Sequence, residues 1–212
     1  MARESLPRGR ENARQKSVFL NLPYDPSFQN LFLAYVVGTT ALGLIPRATL
    51  EIPGSTRRLD RIQLLIRSCR YSIHDLSKVQ LDRHPPATPR FNMPFELGLT
   101  VAQMSQPGGL KHRWFVFERM PFRLQKSLSD LNGTDAYIHG GSVSGVFREL
   151  LSAFVRERRQ PTVGQMTTIY EAVKKSLPTV LRETGASSPF TASAFKRLSV
   201  LASALSDEAV EH

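Results

Sequence analysis

The sequence predicts a doubly wound α/β domain, a mostly parallel five-stranded sheet with helices on both faces, followed by a C-terminal helical hairpin. Three observations lead there. Short, nearly all-apolar runs bounded by turn residues recur along residues 17–139. Segments with apolar residues every three to four positions separate them, and strand–helix alternation implies right-handed crossovers and parallel strands. After Pro161 the strand signal stops and helical periodicity continues alone.

Residues 1–16 are polar and basic, with Pro7 and Gly9, and are expected to be disordered. Ser17–Asn21 then reads as a strand buried inside a parallel sheet. Asp25-Pro26-Ser27 is a helix start, with Asp25 or Ser27 as cap and Pro26 in the first turn. Phe28, Leu31, Phe32, Tyr35 and Val36 continue that helix to Gly43, and Leu44–Leu50 supplies a second strand. Arg57–Cys69 is amphipathic through Leu59, Ile62, Leu65 and Ile66. Tyr71–His74 is a third strand. Leu76–Arg90, with Pro85, Pro86 and Pro89, is a long loop of the kind that often carries function. A helix through Phe95–Met104 has Pro94 in its first turn. Trp114–Phe117 and Ala136–His139 complete the strands, and Val143–Arg156 is a strong helix. The reading divides the chain into a basic N-terminus (1–16), the α/β domain (17–159) and the helical extension (160–212). The extension is expected to pack on the domain, with an oligomer contact through its helices as the alternative.

The 212 residues are 41% hydrophobic and 22% charged, a globular composition. The single cysteine, Cys69, falls on an apolar helix face and excludes an internal disulfide. No apolar run approaches the ~20 residues of a membrane span, and a cytoplasmic location is expected. The formal charge of +10 attracts polyanions, nucleotides and nucleic acid alike. The basic residues are scattered, however, and no aromatic-interleaved basic strand is present. No GxxxxGK[ST] loop, GxGxxG turn or GxSxG elbow occurs, and the five histidines lack metal-ligand spacing.

In open parallel sheets ligands bind beyond the carboxyl ends of the strands. Three polar segments reach that edge. The first offers Asn21, Tyr24 and Asp25; the second Asp75 and Ser77; the third Arg90, Asn92 and Glu96. Glu96, read as first-turn, sits near the positive end of a helix dipole, which favours its ionised form. Beside apolar Phe95 and Leu97 it could stabilise or attack a cationic sugar carbon. The plainer alternative is an ordinary helix-start acid paired with Arg90. Asp75 could orient a ribose hydroxyl or hold Ser77, or simply close an Asx turn. His74 points to the opposite face from Asp75 and reads as core. Arg47 and Arg57 bracket the loop after the second strand as candidate phosphate or carboxylate ligands, with an Arg57–Asp60 ion pair as the alternative.

Val18–Asp25, Pro46-Arg47, Tyr71–Ser77 and Arg90–Gly98 together resemble the TIR-like and nucleoside 2-deoxyribosyltransferase-like superfamily, closest to a bacterial family of TIR-like proteins. The resemblance covers residues 17–155 and implies a flavodoxin-like sheet. It also implies cleavage or exchange of N-glycosidic bonds in nucleosides, nucleotides or NAD. Glu96 would face the anomeric carbon, Asp75 would hold the ribose, and Asn21 and Asn92 would bond sugar or base. A role in defence or signalling comes with the resemblance. The sequence departs from both better-known patterns: it lacks a Trp-Cys-x-x-Glu helix start, and it carries bulky Met93 and Pro94 where the deoxyribosyltransferases have small residues. The alternatives are a nucleotide sensor without chemistry and a basic protein associated with nucleic acid.

Overall fold

A computed structural model describes residues 13–51, 57–79, 90–104, 112–131 and 133–211. Five strands, β1 (Ser17–Asn21), β2 (Ile45–Arg47), β3 (Tyr71–Asp75), β4 (Arg113–Glu118) and β5 (Tyr137–Ile138), form one sheet in the order β2-β1-β3-β4-β5. Every neighbouring pair is parallel. The fold is therefore doubly wound, and the strand order reverses between β1 and β3, the switch point at which such sheets open a crevice.

The helices are α1 (Gln29–Ala41), α2 (Arg58–Ser68), α3 (Asn92–Met104), α4 (Arg123–Ser127), α5 (Val143–Ala153), α6 (Val163–Thr184) and α7 (Ala192–Glu211). Strand alternation sends Val18, Leu20, Tyr71, Ile73, Phe115 and Phe117 to one face, where α1, α5 and the hairpin form the main core. Phe19 meets Ile62, Leu65 and Ile66 of α2 on the other face, while Val116 meets Met93 and Leu97 of α3.

Helix α1 is apolar all round, and Phe32 to Ala41 are all buried. A helix with no polar side needs cover on every side. The sheet and α5 supply part of it, and the α6–α7 hairpin supplies the rest. The hairpin thus packs on the domain as expected, sharing its core through Met166, Val173, Phe195 and Leu198. Thr162 and Gln165 form a capping box at the start of α6, and Gly185 ends it in the left-handed conformation.

Several boundaries differ from the sequence expectation. Strand β2 is shorter, because the chain turns into a 3₁₀ segment at Thr49–Glu51. Helix α3 starts at Asn92, and α4 was not foreseen. Residues 13–16 form a helical turn tied down by the Ser17 hydroxyl donating to Ala13 O, so the expected disorder does not reach them. Residues 1–12, and most of the long loop after β3, lie outside the described residues. Among the described residues no helix is long and apolar enough to cross a membrane.

The turn from β5 into α5 is held by Ser142, whose Oγ accepts the Gly145 N–H at 3.0 Å. A Cβ at Gly145 would fall 1.9 Å from His139 O, a backbone atom with nowhere to go. Gly145→Ala is expected to cost about 3 kcal/mol of unfolding free energy through this forced overpacking. Urea denaturation reads the loss, and an unchanged midpoint would refute the tight turn.

Candidate functional site

A hollow of about 340 Å³ opens at the β1/β3 switch point, lined by Asn21, Tyr24, Thr49, Arg58, Asn92 and Glu96, with Arg90 and Met93 completing its wall. Each element contributes for a local reason. Pro23 ends the run after β1 and turns Tyr24 toward Thr49, whose Oγ1 lies 3.0 Å from the tyrosine hydroxyl. The 3₁₀ segment after β2 brings Thr49. The first turn of α2 brings Arg58, and the first two turns of α3 bring Asn92 and Glu96.

Glu96 is only 5% exposed. It stands in the second turn of α3, since the helix begins at Asn92, and not in the first turn as the sequence suggested. A helix terminus acts within its first turn, so the ionised form loses that support. Burial instead pushes the Glu96 carboxyl up to about 7, against the pull of Arg58. Arg58 Nη2 lies 3.9 Å from Glu96 Oε1. Arg90 pairs with Asp25 at 3.2 Å, so the expected Arg90–Glu96 partnership is replaced by Arg58–Glu96. Burial also raises the Tyr24 phenol to about 12, keeping it a hydrogen-bond donor.

Of the residues singled out from sequence, Glu96, Asn21, Tyr24, Arg90 and Asn92 come together here. Asp25 serves from outside: its Oδ1 caps the segment at Ser27 N (2.9 Å), and its Oδ2 holds Arg90. Arg57 does not line the hollow; it precedes α2, and its neighbour Arg58 takes the position. Arg47 donates to Glu51 at 2.7 Å and faces a separate groove between β2 and α7.

Asp75 and Ser77 do not line the hollow either. Asp75 is fully buried on the α1 side of the sheet. It accepts from Tyr35 Oη (2.7 Å) and from the Ser77 N–H (2.8 Å), and its Oδ2 lies 3.2 Å from His139 Nε2. His139 Nδ1 accepts the Gly141 N–H, so the ring proton sits on Nε2, between Asp75 and Ser77 Oγ (2.9 Å). The Asx turn, the plainer of the two expectations, is what Asp75 makes. With every partner supplied by the protein, it ties β3 to α1 and to the β5–α5 turn. The expected convergence of Asp75 and Glu96 on one cavity does not occur.

His74 was correctly expected on the face opposite Asp75, but that face is the one that carries the hollow. Asn21 Nδ2 is 2.9 Å from His74 Nδ1 and donates to Met93 O at 3.1 Å. His74 Nε2 meets Ser72 Oγ (2.9 Å), Ser72 Oγ meets His112 Nε2 (3.0 Å), and His112 Nδ1 meets Cys69 O (2.9 Å). Burial, with His112 nearby, lowers the His74 imidazole to about 3, and burial also lowers His112. Sequence reading missed this chain, together with Arg58 and Thr49. Only the alternation of Ser72 and His74 along β3 hinted at it.

A larger cavity, about 970 Å³, lies at the opposite edge of the sheet, beside Gly43, Leu44 and the segment Glu157–Pro161. Arg159 there is engaged with Asp207 at 2.8 Å, and the cavity lies away from the strand ends where such folds bind ligands. Among the described residues no group of three or more His, Cys, Asp or Glu side chains could hold a metal ion. Comparisons with protein-family models, curated proteins and solved structures found no match.

The depressed His74 imidazole has a consequence for stability. Below its ordinary 6.5 the unfolded chain takes up a proton that the folded chain refuses until about pH 3. The contribution of His74 is therefore complete above pH 6.5 and is lost as the pH falls toward 3. Relative to His74→Gln, the wild-type advantage should shrink by about 1.4 kcal/mol per pH unit below 6.5. Urea midpoints between pH 7.5 and 4.5 measure it; a pH-independent difference would contradict the buried, uncharged imidazole. Glu96 works in the opposite sense, favouring the folded state as the pH falls from 7 to 4.5, and it cancels in this comparison.

Proposed function

We propose that the chain binds a nucleotide in the switch-point hollow and that Glu96 stabilises the ribosyl cation as an N-glycosidic bond breaks, the base leaving with the bonding pair and water adding to the cation. One observation carries the reading: a nearly buried carboxyl faces a cavity that also holds two arginines, at the place where doubly wound sheets bind ligands. The exposed guanidinium groups of Arg58 and Arg90 suit a phosphate. The volume lies at the small end of ligand pockets. It suits one nucleoside-sized unit, so only the reactive end of a dinucleotide such as NAD would be enclosed. At neutral pH Glu96 is about half ionised, and a cation forming beside it draws it to the carboxylate.

Among the described residues, Glu96 is the one carboxylate that lines the hollow. A second carboxylic acid, which glycosidases use to protonate the leaving group, does not line it among the described residues. The reading therefore favours a base that departs without protonation, as the cationic nicotinamide of NAD does. The TIR-like resemblance supports the same chemistry, and with it a role in defence or signalling. A single carboxylate among the described lining residues also favours one other reading, a nucleotide sensor in which ligand binding is relayed without cleavage.

Incubation with NAD and with nucleosides, followed by quantification of free base, separates the two. The catalytic reading expects base release that falls roughly 100-fold or more in Glu96→Gln, while ligand-induced rise of Tm persists. Equal release by the variant removes Glu96 from the chemistry. A ligand that raises Tm and is recovered intact leaves the sensor reading.

A further inference from the structure

Resting on the nucleotide reading, we infer that Asn21 is a specificity-determining residue whose side-chain oxygen selects a ribosyl over a 2-deoxyribosyl unit, held in that orientation by the buried His74–Ser72–His112 chain.

The orientation follows from the two ends of the chain. Cys69 O can only accept, so His112 carries its proton on Nδ1, and its Nε2 is free to accept from the Ser72 hydroxyl. Ser72 Oγ, having spent its proton, accepts from His74 Nε2–H. His74 Nδ1 is then an acceptor and takes a proton from Asn21 Nδ2. From the other end, Met93 O also can only accept, so the Asn21 atom 3.1 Å away is the nitrogen. Both ends demand the same polarity, and a flipped amide would set oxygen against oxygen at Met93 and oppose a lone pair at His74. All of these side chains are buried, so water cannot correct a mismatch.

Both Asn21 amide protons are thereby committed to protein acceptors. Its Oδ1 is the polar atom left over, in a residue that lines the hollow. The hollow therefore presents an acceptor at Asn21, and a ligand must bring a donor to it. Met93, which Asn21 holds, precedes Glu96 by three residues, about 4.5 Å along the helix axis. Asn21 and Glu96 line the same hollow, and in the inferred pose the anomeric carbon faces Glu96 while the 2-hydroxyl of the adjacent carbon donates to Asn21 Oδ1. A 2-deoxy sugar has no donor there and leaves a desolvated oxygen unpaired.

His74, Ser72 and His112 touch no ligand; they are positioning residues acting through Asn21. Two measurements on the full chain test the inference. Imidazole ¹⁵N shifts should show His74 protonated on Nε2 only and His112 on Nδ1 only; a proton on His74 Nδ1 would overturn the orientation. Calorimetry with adenosine 5′-monophosphate and its 2′-deoxy counterpart should show the deoxy form binding roughly tenfold more weakly or worse. That ratio should shrink toward one in Asn21→Ser, which lacks the fixed oxygen. Equal binding of the two nucleotides by the wild type overturns the selection while leaving the nucleotide reading in place. Binding of neither, with the tautomers as stated, overturns the nucleotide reading and the selection with it.

Discussion

Strand β3 is buried at every residue, yet three of its five side chains, Ser72, His74 and Asp75, are polar. A buried polar group without a partner costs of the order of 1–3 kcal/mol, so satisfying this strand constrains everything packed against it. Alternation splits the demand between the two faces. On one face Asp75 draws in Tyr35 of α1, the Ser77 amide and His139 beyond β5. On the other, Ser72 and His74 draw in His112 and Asn21. The first network fixes how the α1 layer sits on the sheet. The second reaches through Asn21 to Met93 O and so ties the first turn of α3 to β1.

The placement of α3 governs the site. Because the helix starts at Asn92, Glu96 falls in the second turn, deep enough to be desolvated and too far in for the helix terminus to offset that. Arg58 approaches from α2 without closing into a tight ion pair. The result is a carboxyl balanced between its two forms near neutral pH. A tighter pair would lock it ionised, and a drier wall would lock it protonated.

The sheet and most helices were legible because period and burial coincide: Val18–Leu20 is apolar on both faces, and Val146, Phe147 and Leu150 recur at helical spacing. The hairpin was legible for the same reason. Much of the site could be read too, because a doubly wound sheet sends the segments after β1 and before α3 to one edge. The side of the sheet that opens there was harder. Alternation separates Asp75 from His74, but it does not say which face is filled by Tyr35 and which is left hollow. Asp75 looked like a ligand residue because its partners Tyr35 and His139 lie 40 and 64 positions away, beyond any local signal. Arg57 and Arg58 were indistinguishable by type, and a single helical step of 100° decides between them.

The account stands on Glu96 being a desolvated carboxyl facing a hollow that contains opposing charge. Its ionisation can be observed directly, by following the side-chain ¹³C carboxyl shift of Glu96, assigned by comparison with Glu96→Gln, from pH 3 to 9. The structure calls for a midpoint near 7, moving downward when a cationic ligand enters. A midpoint at the ordinary 4.5 or below would mean that position 96 is bathed in water or locked to an arginine, and the proposed site would have no basis.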